Sequence, residues 1–546
     1  MLLFVALIAA ACSGAVSDEF AGEPIFDDLI FEAEDDTDTG EAPDGLPFVE
    51  DEQTLRVSVS NLVYNVPYEL EETNAVQVLL TDLLTDGLTR RDPVSGAIEP
   101  AIADSWTTSP DGLTWTFELG TATFGDGTVI TADDVVVSLN RLADRGISSV
   151  SSPNLWPVEG WTAAGAGEDA PDVTGLSAVS DTQVEFTLTT PFAALAEILS
   201  GVAFGIVPED ADSLFVAEGE LPLSSAVDFE PSEVWVDGLL LDSRTSEIDP
   251  VEHIEVFLDP EATMLAAGET DLAVGFEEAV DGTTSVYSDS TAVSYFAMNA
   301  SQAPFDDTLI RQAILHAVDV EQLRDEFFPT ADVMNRFVAD GAFTGAIDSC
   351  GAACQLEHEE AQTLVQASPS RNVLLTIDYI DPSAGDDSAE GDEPAGLDEE
   401  LALAVAEMLT DIGLNVETVG HAPEDFSRAV AEGELGMFRF GTVSSTLSAE
   451  TSLGLPFHTT GLDNVSGTSI ERVDNLIDEA RSTGDDDARA QLYLDAERTV
   501  FAEAVVLPLV EFKHLVLLGS SLDSTSFSLE PDGSLNLSGT VFEVAE

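Results

Sequence analysis

Apolar and polar positions along this chain follow two periods, and the way they alternate sets the fold class. Residues 55–59 (LRVSV) switch apolar to polar at every step, the pattern of a half-buried strand, and similar runs recur at 114–119, 183–188 and 253–258. Helical spacing lies between them. Thr131 precedes Asp134 by three residues, as in a capping box, and Val135, Leu139 and Leu142 then share one face. Asp307 is placed to cap a helix whose Ile310, Ala313, Ile314 and Ala317 form a stripe. Residues 373–380 read as an apolar strand. Leu401, Val405, Met408, Leu409 and Ile412 line a helix ended by Gly413, and 414–419 read as a second strand. Strand, helix, strand in that order predicts α/β architecture. The acidic, Gly- and Pro-containing stretch 381–397 reads as a surface loop. Val473, Leu476, Ile477 and Ala480 mark a late helix, and 488–502 another. No internal repeat is present.

With 546 residues the chain exceeds one ordinary core, so two or three domains are expected, and 44% hydrophobic residues suffice to build them. Charge changes the picture. There are 105 acidic residues against 17 basic, a net −88, and Lys513 is the only lysine. Such a surface repels phosphate backbones, which excludes nucleic acid as a partner. It also repels itself unless salt screens it, since the Debye length falls from about 30 Å at 0.01 M to about 8 Å at physiological ionic strength. Two readings of the acidity stay open: adaptation to a salty exterior, and a composition bias of the lineage.

Residues 1–12 are apolar up to Ala9, Ala10, Ala11 and Cys12. Small residues before a lone cysteine resemble a bacterial lipobox, in which Cys12 would carry the lipid; an ordinary signal peptide is the alternative. Residues 13–52 are acidic and lack basic residues, so they read as an unfolded tether. No other stretch nears the ~20 apolar residues that span a bilayer, so membrane contact is expected through the N-terminal lipid only. Beyond Cys12, only Cys350 and Cys354 remain. A pair four apart around a Gly-containing turn reads as a local disulfide in an oxidising compartment; a zinc site would need two more ligands, with only His358 and carboxylates nearby.

Catalytic signatures are missing. The sequence has no Gly-x4-Gly-Lys-Ser/Thr loop, no Gly-x-Ser-x-Gly elbow and no His-Glu-x-x-His. Residues 357–360 (EHEE) look metal-like, but adjacent side chains do not converge on one helix face, and they read as a solvated helix start. With 105 carboxylates, some pair always falls at glycosidase spacing, so a pair carries no weight. No enzyme activity, metal or cofactor is expected.

Several segments, in order, resemble the family 5 extracellular solute-binding proteins, the oligopeptide- and dipeptide-binding group of ABC importers. The strongest are 100–106 (PAIADSW), 109–119 (SPDGLTWTFEL) and 124–141 (FGDGTVITADDVVVSLNR). Further blocks are Pro191-Phe192 through Pro208, residues 261–273, residues 299–319 with Ala303, Pro304, Phe305, Arg311 and Asp319, and Leu507-Pro508-Leu509. The resemblance implies a two-lobed α/β fold of the periplasmic-binding-protein type, class II. The first lobe would comprise 53–295 plus 503–546, with a subdomain inserted at about 80–184, and the second 296–502. It implies closure on a ligand, which shifts the population towards the closed state. The implied partners are a small peptide or other small solute and the permease subunits of an ABC importer.

By the same resemblance, the cleft would draw on Tyr64 after the first strand, on Phe440, Gly441 and Thr442, and on Phe512 near the return crossing. Peptide-binding members carry a Trp-Gly…Asp-Pro stretch whose aspartate pairs with the peptide amine. Here residues 440–447 read FGTVSSTL, with no acidic residue before Glu450. The Gly-Thr-Gly-Pro-Phe motif is also replaced, by LPLSSA at 221–226. A sugar, a blocked peptide or another solute therefore stands beside the free peptide, unless Glu450 or another carboxylate supplies the charge. Two other functions remain alternatives: a lipid-anchored sensor or scaffold without transport, and a carboxylate-based hydrolase.

Overall fold

The computed structural model describes residues 53–536 except 62–73, 93–94, 147–148, 167–169, 209–223, 226–228, 236–237, 245–250, 277, 340–347, 385–395, 445, 523–527, 532 and 534. Cys12, Tyr64, the tether and most of the loop expected at 381–397 lie outside the described residues.

Among the described residues, the largest sheet has eleven strands. One end is built on Thr54–Val59, which runs parallel to both His253–Leu258 and Leu272–Val274. A central parallel strand is covered on both faces, and here even Thr54 and Ser58 are buried beside Leu55, Val57 and Val59. Gly238–Ser243 and Phe229–Trp235 extend this end antiparallel. At the other end, Leu374–Ile380 lies parallel to Asn415–His421, with helix Leu397–Asp411 between them in sequence. The strand–helix–strand unit read from periodicity is therefore present, and Gly413 ends it with φ +95°.

Two long strands belong to both ends. Thr284–Met298 and Val506–Leu518 run antiparallel along most of their length. Residues 293–298 of the first pair with Met437–Thr442, whereas 516–518 of the second pair with Leu272–Val274. The ends otherwise keep separate cores. One gathers Leu55, Leu79, Leu241 and Ile254; the other gathers Phe296, Phe305, Phe438 and Phe501 in two adjoining clusters.

A third unit stands apart. Ala103–Thr108, Thr114–Leu119, Gln183–Thr187 and Leu176–Ser180 form a four-stranded antiparallel sheet. Its core draws on residues from Leu88 to Ile206, with Phe117 and Phe186 edge-on at 5.4 Å. Burying each such ring contributes about 1.5–3 kcal/mol. Helix Ala132–Arg145 packs on it behind the expected capping box, in which the Thr131 amide donates to Asp134 Oδ2 at 2.8 Å.

Two buried charged side chains fix long-range geometry. Arg311 donates to the carbonyls of Phe305 (2.6 Å), Glu503 (2.9 Å) and Ala504 (3.1 Å). It thereby satisfies carbonyls left over where helix Asp486–Ala502 ends and ties helix Thr308–Ala317 to the start of the return strand. Glu497 accepts from the amides of Phe337 (2.6 Å) and Val338 (3.1 Å) and from the Ser349 hydroxyl. Burial pushes its carboxyl up, while those donors pull it down. Next to Ser349, Cys350 and Cys354 are joined, with Cα atoms 5.6 Å apart.

Candidate functional site

The region where the three units meet is built from two constellations, one on the crossing strands and one between the four-stranded unit and the late helices. On the crossing strands, the register slips between Asp289 and Val293. Lys513 sits there, its Nζ 2.6 Å from Asp332 Oδ2 and 3.2 Å from Asp289 Oδ1, so the lone lysine ties three strands. Thr291 donates through its hydroxyl to the Ser444 carbonyl (2.6 Å) and through its amide to the Pro531 carbonyl (3.0 Å).

The sequence-predicted residues gather beside this crossing. Phe440 and Gly441 pair in register with Tyr295 and Ser294, and Thr442 with Val293. The Phe440 ring is buried against Tyr295 (6.0 Å) and Phe438 (6.4 Å), so its side chain belongs to the core. Phe512 is half-buried, edge-on to Phe328 at 5.9 Å. Among the described residues these four share one neighbourhood.

The second constellation was missed by sequence reasoning. A recess of about 750 Å³ opens between the four-stranded unit and helices Glu471–Ser482 and Asp486–Ala502. Trp106, Trp115 and Arg91 line it from one unit, and Arg481, Arg489 and Tyr493 from the other. None of Phe440, Gly441, Thr442 or Phe512 does. Beside it lies a buried polar network. Arg481 bonds Glu450 through Nη2 at 2.7 Å and Nε at 3.1 Å, and the Tyr493 hydroxyl donates to the same carboxylate at 2.7 Å. Gly454 makes room for it, because a Cβ there would fall inside the Glu450 carboxylate. Burial, then the Glu450 charge, pushes the Tyr493 hydroxyl well above its ordinary value. Glu450 is thus committed inside its own unit, which disfavours it as the missing partner of a peptide amine.

Several contacts cross from this network to the four-stranded unit, the Ser448 hydroxyl donating to Glu197 among them. The Ala193 amide donates to the Arg481 carbonyl (2.8 Å), and the Thr451 hydroxyl to Asn154 Oδ1 (2.8 Å). The Arg481 guanidinium lies 4.9 Å from the Trp156 ring centre, within cation–π range. Arg489 Nη2 reaches Glu197 Oε2 at 3.5 Å, on the carboxylate that Arg91 also holds at 3.2 Å. Burial pushes Glu197 up, and both arginines pull it down. Only the tertiary fold brings residues 91, 197, 450, 481 and 489 together, and no local period announces it. Among the described residues, no cluster of three or more His, Cys, Asp or Glu side chains could hold a metal ion, and no helix is long and apolar enough to cross a membrane. The arrangement offers aromatic walls and charges of both signs, suited to holding a solute.

Comparison with known proteins agrees with this character. The model of the bacterial extracellular solute-binding proteins, family 5 Middle, matches residues 97–225 and 253–464. The periplasmic oligopeptide-binding protein OppA of Salmonella typhimurium is 23% identical over 516 residues, covering 88% of this chain and 90% of that one. The glutathione-binding protein GsiB of Pectobacterium atrosepticum is 26% identical over 463 residues, covering 79% and 83%. Among solved structures, the unliganded open form of the murein tripeptide-binding protein MppA superposes with TM-score 0.72 at 19% identity, covering 90% and 98%. HbpA2 from Haemophilus parasuis gives 0.70 at 18%, covering 90% and 100%. The fold is thus the two-lobed α/β one of periplasmic binding proteins, and OppA, GsiB and MppA are binding proteins by name.

Proposed function

This chain belongs to the family 5 bacterial extracellular solute-binding proteins, and from that premise we propose that it captures a small peptide or similar solute outside the cell and delivers it to the permease subunits of an ABC importer. Residues 53–295 with 503–546 form one lobe and 296–502 the other, and the lobes close on the solute. The observation that carries this reading is the pair of strands, Thr284–Met298 and Val506–Leu518, that belong to both ends of the sheet while the ends keep separate cores. Two antiparallel connections side by side make a hinge that lets cores move as bodies. The named relatives bind oligopeptides and glutathione, which supports a peptide-like solute. Residues 1–12 act as a lipoprotein signal, Cys12 carries the lipid, and 13–52 tether the lobes to the membrane.

A thermal-shift screen in seawater-like salt against short peptides, oligosaccharides and amines tests the capture. A solute at 100 times its dissociation constant stabilises the chain by about 2.7 kcal/mol. If no member of any of the three classes raises the melting temperature, the capture reading fails. Mass spectrometry of the mature N-terminus tests the anchor: a diacylated Cys12 is expected, and an unmodified residue other than Cys12 overturns it.

A further inference from the structure

The recess between the four-stranded unit and the late helices carries chemistry that the crossing strands do not. In a chain of net charge −88, three of seventeen basic residues, Arg91, Arg481 and Arg489, line the recess from its two sides. Their side chains are only 16%, 6% and 12% exposed. Two equally shielded carboxylates answer them, Glu197 at 15% and Glu450 at 3%. Asp478 and Asp486 also pair with these arginines, at 62% and 87% exposure, and Asp111 and Asp487 line the recess, but all four are exposed and water largely screens them. Three shielded cations against two shielded anions leave one positive charge in excess. Burial works against the charged form of Glu197, while Arg91, Arg489 and the Ser448 hydroxyl support it. In the same recess stand Trp106 and Trp115, and the Trp115 indole N–H is buried without a partner among the described residues. A buried donor of this kind calls for an acceptor.

We propose that this recess binds a carboxylate carried on an aromatic or otherwise apolar body, the chemistry of an aryl acid or of a peptide's C-terminal end. The carboxylate meets Arg489 and Arg91. Arg489 is loosely committed, at 3.4 Å from the Thr483 carbonyl and 3.5 Å from Glu197, with its one short contact to the solvated Asp486 at 2.7 Å. Exchanging Asp486 for an incoming carboxylate gives a forked, charge-assisted pair. The apolar body lies on the two tryptophans. A volume of about 750 Å³ is of the size that holds a small molecule. Both units line the recess, so the occupant bridges them. The salt response has an unusual sign. Repulsion from the acidic surface is long-range and is screened, whereas the contacts with the shielded arginines are short and are not, so affinity rises with salt. The inference extends the solute-binding reading but does not depend on where the lobes close.

Calorimetric titration of the full chain with N-acetyl-tryptophan, its neutral amide, and a tetrapeptide ending in tryptophan as acid and as amide tests it. The acids are expected to bind about tenfold or more tighter than the amides, and tighter still at about 1 M than at about 0.1 M salt. Binding of both acids assigns the site to aryl acids in general; binding of the tetrapeptide acid alone assigns it to peptide ends. Arg489→Gln should cost the acids about tenfold and spare the amides, and Trp106→Ala, at a half-exposed position, should weaken acid and amide alike. Equal affinity for acid and amide, acid binding that weakens with salt, or acid binding unchanged in both variants overturns the proposal. Acids that do not bind while other peptides do overturn this site and leave the capture reading standing; a chain that binds nothing overturns both.

Discussion

The crossing strands and the late helices are each secured by a basic residue set among carboxylates, yet water reaches the two very differently. Lys513 is 20% exposed and faces Asp332 at 59%, so salt and solvent screen that pair. Arg481 is 6% exposed and faces Glu450 at 3%, with Tyr493 closing the remaining oxygen. In a protein this acidic, a cation paired with an exposed carboxylate is readily served by a counter-ion from solution, while a pair shielded on both sides sets geometry that salt cannot supply. Salt therefore loosens the tie at the hinge, whereas the Arg481–Glu450 pair holds its own lobe together as the lobes move.

Substitutions sharpen that contrast. Glu450→Gln leaves the buried Arg481 guanidinium without its counter-charge, and loss of one partner of a shielded pair costs about 3–5 kcal/mol. Denaturant melts should show that loss at low and high salt alike; a salt-dependent loss would put the pair in contact with solvent. Tyr493→Phe removes one bond to a charged acceptor and should cost about 2 kcal/mol in the same measurement. Lys513→Gln should cost less than about 1 kcal/mol, with the difference shrinking as salt rises. A loss as large as that of Glu450→Gln would erase the distinction between the hinge and the late helices.

A further expected effect concerns pH. Asp463, in the turn after helix Ala449–Phe457, keeps part of its surface in solvent, yet desolvation pushes its carboxyl from 3.8 to about 6. Between those values the folded chain holds a proton that the unfolded chain releases. Stability contributed by this group therefore falls as pH rises from about 4 to about 6 and is level above that. Asp463→Asn should flatten that part of the stability profile, and an unchanged profile would assign the slope to other groups.

Much of the local structure was legible in the residues. Alternation marked Thr114–Leu119 and His253–Leu258, and Thr131 with Asp134 marked the start of helix Ala132–Arg145 because a cap is a contact over three residues. The α/β class followed from one strand–helix–strand unit. Sheet order was not legible, since the strand Thr54–Val59 finds neighbours some 200 residues away and shared burial does not specify a partner. The junction was hidden for a related reason. Glu450 and Glu497 look like two more acidic residues among 105, and nothing nearby in sequence says that Arg481 or the Phe337 amide will meet them. Helix Asp486–Ala502 buries Tyr493, Ala496, Glu497 and Val500, so its polar positions do not form a clean outer face. Phe440 shows the converse: its place in the chain pointed to the cleft, while its size and the alternation of its strand put the ring in the core.

Closure of two bodies over a captured solute is the central claim, and small-angle X-ray scattering tests it most directly. The chain is measured in seawater-like salt, alone and saturated with the best binder from the thermal-shift screen. The account predicts a smaller radius of gyration with the solute bound, as two lobes turn about Thr284–Met298 and Val506–Leu518. An unchanged radius at proven saturation would contradict it.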